Sequence, residues 1–409
     1  MTDDFWTARE ELAHIHTFAH ARLTAPYAVL GGVLRHAIVS TEPGVQLPPT
    51  VCTYASVNLF VALVGAPGFG KDGSNGTAAD AVHFVDTNKV HIGHHIGAAG
   101  SGEGLARQFL GHKGDEPRTR VDITVPEIGT LQALAGRTGA TLGSELLKAY
   151  MGQPLGFSNN NKDTSTFLPA QSYRLTMSIG VQPDNAGFFI DEAKSGFPQR
   201  FLWLPTRDCS MPWPPPTAPK PITVMIPRAL QSMSLREVNM PEWVREYIRR
   251  LQHTKHVDDS ADPLAGHRGL TQLKTAFGLA VLAGRAAIDD EDWQLSGHLM
   301  NVSDETRDDL WHRARQNRRR ANRQRAIDRA EADGISEERK AELDRDKTEK
   351  AVWRFMGDRQ PHSGRDITRA LPRQLRHLVP DEISAKVKSG AFLQLPPNDN
   401  RGGPIYQRK

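Results

Sequence analysis

Eight consecutive residues, Gly65-Ala66-Pro67-Gly68-Phe69-Gly70-Lys71-Asp72, carry the spacing Gly-x4-Gly-Lys. Glycines so placed let backbone N–H groups wrap a chain of phosphates, and the lysine supplies a point charge to the outer ones. The pattern needs a buried strand before it and a helix after it, because the helix N-terminus adds its positive dipole at the same place. The expected nucleotide-binding set is Gly65, Pro67, Gly68, Gly70, Lys71, Asp72, Gly73 and Ser74, with ATP and Mg2+ as cofactors. One position departs from the pattern. Ser or Thr normally follows the lysine and ligates magnesium, and here Asp72 stands there. A carboxylate can hold magnesium, but it adds negative charge beside a triphosphate. Ser74, two residues on, could substitute in a shifted loop.

Hydrolysis needs a further carboxylate at a strand end, facing the γ-phosphate. Val121-Asp122-Ile123-Thr124-Val125-Pro126-Glu127 offers Glu127 as general base and, with Asp72, as a metal ligand; the bland reading is a surface acid. Glu103, in Gly100-Ser101-Gly102-Glu103-Gly104, is a rival or simply part of a turn. Gln182 ends an apolar run, where it could sense the γ-phosphate or cap a strand. Arg200 follows a Gly-Pro loop and could be an arginine finger reaching a neighbouring subunit's nucleotide, or a local ion pair; Arg137 is a weaker candidate. His91, His94 and His95 invite a metal reading, but no acid or cysteine joins them at ligand spacing, so satisfied or exposed histidines are expected.

These groups require elements to hold them. Residues 5–40 have helical spacing that Pro26 should break. Asn58–Val64 is a nearly continuous apolar run, as in a parallel strand buried on both faces. Further strands are expected at Ala81–Val85, Val121–Val125, Arg174–Val181 and Arg200–Leu204. A polar insert with Asn159, Asn160 and Asn161 precedes the fourth. Helix-like stretches such as Gly104–Leu110 and Leu142–Tyr150 lie between. Alternation of this kind predicts an α/β fold with a mostly parallel sheet, a P-loop NTPase core of RecA-like or AAA+ type. The expected division is a helical region at 1–50 and an ATPase core at 51–210. A proline-rich connector with helices follows at 211–345, then a winged helix-turn-helix at 346–409, read from helices at Ala351–Met356, Gly364–Leu371 and Asp381–Lys388 and a strand ending at Leu395.

The net charge is only +4, but its distribution is uneven. Between Arg313 and Arg329 eight arginines face one acid, Asp328, on a long charged helix expected from about Ser303 to Asp346, broken near Gly334. Such a block is either a nucleic-acid footprint or a solvated helix paired with Glu331, Asp333, Glu337 and Glu338. Arg318, Arg319 and Arg320 are the expected DNA contacts there, with Arg365, Arg369, Arg373 and Arg376 in the C-terminal unit. No run of about 18 apolar residues exists. The N-terminus lacks a signal-peptide pattern, and two cysteines are too few for a disulfide framework. No membrane association and a reducing, cytoplasmic setting are expected.

Asn58–Gly65, Gly102-Glu103-Gly104-Leu105, Ser172–Leu175, Gly180-Val181-Gln182-Pro183 and Pro198–Trp203 resemble the ATPase region of actinobacterial and actinophage replication proteins. The resemblance spans roughly Phe5 to Asp208 and, more weakly, Leu270–Thr306. It implies a helicase-like, ring-forming ATPase of a phage, plasmid or integrated element. It further implies DNA as partner, a hexameric homo-oligomer, and a primase-polymerase encoded nearby, since the stretch before Asn58 is too short to hold one.

Overall fold

The computed structural model describes residues 2–110, 116–135, 141–157, 166–257, 266–396 and 403–409. Arg137 and Asn159–Asn161 lie outside them. The chain divides into two compact units, Met1–Asn317 and Arg318–Lys409.

The first unit is built on five parallel strands: β1 (Phe60–Val64), β2 (His95–Gly97), β3 (Arg120–Val125), β4 (Arg174–Val181) and β5 (Phe201–Pro205), in the order β2-β3-β4-β1-β5. Successive side chains of a strand point to opposite faces, and β1 shows it. Val61 and Leu63 enter one core with Leu202 and Leu204, while Phe60 and Ala62 enter another with Val121, Ile123, Met177 and Trp203. Helices cover both faces, so a strand apolar at every position is the required sequence. On the first face lie α1 (Pro26–Val39), α2 (Lys71–Ala81) and α4 (Arg268–Leu282). On the second lie α3 (Gly102–Leu110) and the helix Leu142–Met151, with Phe109, Leu146 and Tyr150 buried.

Several expectations are corrected. The break expected at Pro26 is not among them: one helix ends at Ala21 and Pro26 opens α1 at the first turn, where its missing N–H costs nothing. Val82–Val85 is a strand, but it pairs with Ile222–Met225 in a separate two-stranded sheet, and His95–Gly97 takes the edge of the main one. The boundaries at 50 and 210 separate nothing: Phe18, Leu30, Leu230, Val244 and Phe277 share one core with β1 and β5. The charged helix is α5 (Asp290–Phe355), 66 residues without interruption at Gly334.

A buried ion pair ties the layers. Arg35 of α1 donates through Nη1 to Asp122 Oδ1 of β3 at 2.5 Å and through Nη2 to Asn75 Oδ1 of α2 at 2.8 Å. Thr176 of β4 donates to the same Asp122 oxygen at 2.7 Å, and Asn75 Nδ2 to Ser178 Oγ of β4 at 3.3 Å. Burial pushes the Asp122 carboxyl up, but Arg35, His36 and Thr176 outweigh it and hold it below its ordinary 3.8.

The second unit has its own core of Val352, Met356, Ile367, Leu371, Leu375, Val379, Ile383 and Phe392. After α5 come α6 (Gly364–Ala370) and α7 (Val379–Lys388). A three-stranded antiparallel sheet places Ile405–Arg408 between His362–Ser363 and Phe392–Leu395. Ser363 caps α6, accepting from the Asp366 amide at 3.3 Å. Among the described residues no helix is long and apolar enough to cross a membrane.

Removing one partner of a buried pair leaves an uncompensated charge. Arg35→Ala is therefore expected to lower unfolding free energy by about 3–5 kcal/mol in urea titrations. Because the folded carboxyl is depressed, the stability Asp122 contributes is complete above its ordinary value and is lost as pH falls through the depressed one. The variant should lack that acid-side dependence.

Candidate functional site

The C-terminal edge of the sheet gathers most of the groups marked by the sequence. Beyond β1, the Gly65 amide donates to Val181 O at 3.0 Å, and a Cβ there would run into Thr206 Oγ1. Thr206 holds its place by donating through its amide and its hydroxyl to Val64 O, at 2.9 and 3.2 Å. Ala66 to Gly70, Pro67 included, are exposed, and Gly68 and Gly70 take φ of +81° and +67°, conformations glycine adopts without steric cost. Helix α2 begins at Lys71, so its N-terminus faces the open loop. The Lys71 ammonium donates to Gly65 O and Ala66 O, both at 3.2 Å. Burial takes its pKa below the ordinary lysine value, with Glu127 and Asp72 pulling the other way.

Lys71 reaches this position because β4 carries no side chain at Gly180. A Cβ there would collide with Pro126 O and stand 3.2 Å from Lys71 Cδ. Sequence reasoning passed over Gly180, although a lone glycine inside an apolar strand marks a close approach.

Glu127 follows β3 and Gln182 follows β4 at the same edge; Gln182 Nε2 donates to Glu127 Oε1 at 2.5 Å. With β4 between β3 and β1, Glu127 stands two strand spacings from the loop, about 10 Å across the sheet. Glu103 is exposed in the first turn of α3, after edge strand β2, three spacings or about 14 Å away. The nearer position and the bond from Gln182 favour Glu127.

Asp72 and Gly73 are exposed in the first turn of α2. Ser74 is buried, and its hydroxyl is engaged by donating to Gly70 O at 2.8 Å. Arg200 does not join its own chain's loop, which a residue expected to reach a neighbouring subunit's nucleotide need not do. It precedes β5, whose Phe60↔Phe201 register sets it at the opposite edge of the sheet. There its Nη1 donates to Gly196 O and its guanidinium sits 6.0 Å from the Tyr150 ring centre. Arg207, which sequence reasoning did not select, is exposed directly after Thr206.

The second unit carries the basic groups. Every residue from 318 to 343 is exposed. Among the described residues Arg319, Arg320, Arg323, Arg325 and Arg329 form no ion pair, and Glu331, Asp333, Glu337 and Glu338 do not neutralise them; Arg318 shares the same exposed stretch. Arg365 and Arg369 line a cleft of about 590 Å³ with Thr368, Ser384 and Tyr406. Arg373 is exposed, while Arg376 is engaged with Leu371 O at 3.0 Å and Arg369 O at 3.3 Å.

The chain matches no protein-family model and no curated protein.

Gly180→Ala would meet backbone at Pro126 as well as the lysine. A loss of about 1–3 kcal/mol in denaturant unfolding is expected, as for other insertions into a filled space.

Proposed function

We propose that the first unit is a P-loop ATPase and that the protein acts on DNA, as a ring-forming helicase or helicase-like initiator in the replication of a phage, plasmid or integrated element. The observation that carries the ATPase reading is the convergence of Lys71, Glu127 and Gln182 on one sheet edge, beside an open loop that leads into a helix N-terminus. In this reading the Gly65–Gly70 amides and the α2 dipole bind the phosphates. Lys71 exchanges its two carbonyl partners for phosphate oxygens. Mg2+ fits two exposed carboxylates, Asp72 and Glu127, since hard cations take oxygen ligands; when bound it would neutralise charge on the transferring phosphoryl group. Glu127, oriented by Gln182, accepts a proton from the attacking water.

DNA is the partner that suits the second unit. Its helices, short strand and terminal hairpin follow the order of a winged helix, and the unpaired arginines after 318 offer charge to phosphates. An arginine finger for a neighbouring subunit's nucleotide would come from Arg200 or from the exposed Arg207.

One observation favours a second reading, an ATP-switched DNA-binding regulator or a loader that does not unwind. Asp72 replaces the usual hydroxyl and that of Ser74 is engaged by Gly70 O, so the first turn of α2 gives magnesium no free hydroxyl. Slow hydrolysis would follow.

Lys71→Ala should abolish ATP binding in a fluorescent-nucleotide titration. Glu127→Gln should retain binding and lose about 100- to 10,000-fold in hydrolysis rate. Unwinding of a forked duplex by wild type but not Lys71→Ala supports the helicase; hydrolysis without unwinding selects the second reading. Arg319→Ala, Arg320→Ala and Arg323→Ala combined should flatten the salt dependence of DNA affinity by roughly one logarithmic unit per arginine. An unchanged slope would remove this helix from the interface.

A further inference from the structure

Beneath the first face of the sheet, His36 of α1, His94 of the segment before β2, and Asp122 of β3 each offer a ligand atom, all within 4.8 Å of one another. His36 Nε2 lies 3.8 Å from Asp122 Oδ2. Two ligand atoms each about 2.0–2.1 Å from a tetrahedral zinc stand roughly 3.3 Å apart. The three groups are thus within about 1.5 Å of coordination geometry, a gap that small side-chain rotations close.

The electronic state of the groups suits a cation. Asp122 Oδ1 is engaged by Arg35 and Thr176, which fix the carboxylate and leave Oδ2 toward the histidines. Holding a ligand by its other oxygen is the usual support of metal sites. His94 Nδ1 is buried and has no hydrogen-bond partner, an arrangement that an ion or water normally explains. The groups line a cavity of about 330 Å³ together with Arg35, Asn75 and His91, which leaves room for a water as further ligand.

We propose that His36, His94 and Asp122 bind a divalent transition-metal ion, zinc foremost, at a site separate from any magnesium that accompanies a nucleotide. Two imidazoles and one carboxylate with an open fourth position is a donor set zinc accepts. The ion would cross-link α1, the approach to β2, and β3, the strand that leads to Glu127. The proposal does not depend on ATP binding.

The test is Co2+ titration of chelator-treated full-length protein, followed by visible absorption, with thermal unfolding measured alongside. One equivalent of Co2+ should give the intense bands of a four-coordinate site, Zn2+ should displace it, and zinc should raise the melting temperature. His94→Ala, checked for folding by circular dichroism, should weaken binding by at least about 100-fold; His91→Ala should leave it within a few-fold. Should His94→Ala not fold, zinc should protect His94 of the wild type from diethyl pyrocarbonate, located by mass spectrometry. Absence of saturable Co2+ uptake, wild-type affinity in folded His94→Ala, or His94 modification indifferent to zinc would each overturn the site.

Discussion

The first unit is organised around the charge of Arg35 and its neutralisation by Asp122. Both side chains are almost wholly withdrawn from water. Such a pair is tolerable only where the remaining donors and acceptors also find partners. Asn75 and Thr176 supply most of them, Arg35 Nε alone staying without a partner, and in doing so they bind α1, α2, β3 and β4 to one point. Those are the elements that end in, or begin from, the edge bearing Lys71, Glu127 and Gln182. An apolar cluster of the same volume would stabilise the layers as well, but it would let them slide. Directional bonds fix which residues of α2 and β3 stand opposite each other.

Much of this was legible in the chain. The glycine-rich loop, the strand before it, three of the other strands and the two short helices α6 and α7 all announce themselves through local pattern, whereas the helix expected at Ala351–Met356 is the end of α5. What failed to show was long-range. β2 is only three residues, His-Ile-Gly, with no apolar run to mark it. Val82–Val85 looks like a sheet strand because it is buried, yet its partner lies some 140 positions on, past the prolines taken as a linker. His94 seemed to lack an acid because Asp122 and His36 are remote in sequence. In a parallel sheet a residue that precedes a strand and one that follows another strand stand at opposite edges, so Arg200 and Gly65 do not meet within one chain, and a finger for a neighbouring subunit's nucleotide does not require them to.

Lys71 ties the loop to itself. Its ammonium bonds two loop carbonyls, so the charge is satisfied within the chain. Under the proposed function, phosphate binding would be an exchange of partners rather than the ordering of a slack segment, with the entropy of fixing the backbone met during folding. Gly180 is the condition for this, since it leaves the groove along which the lysine stem lies.

The stretch from 318 to 343 follows a different rule. Exposed at every position, it draws its helicity mainly from intrinsic propensity and near-neighbour charge, terms worth a few tenths of a kcal/mol each. Its amides should therefore exchange with solvent long before those of β1 or β4, through local opening that leaves the cores of both units intact. A protein built this way has no single free energy of unfolding. A calorimetric trace fitted to one transition would average a fraying helix with two cooperative units and describe none of them.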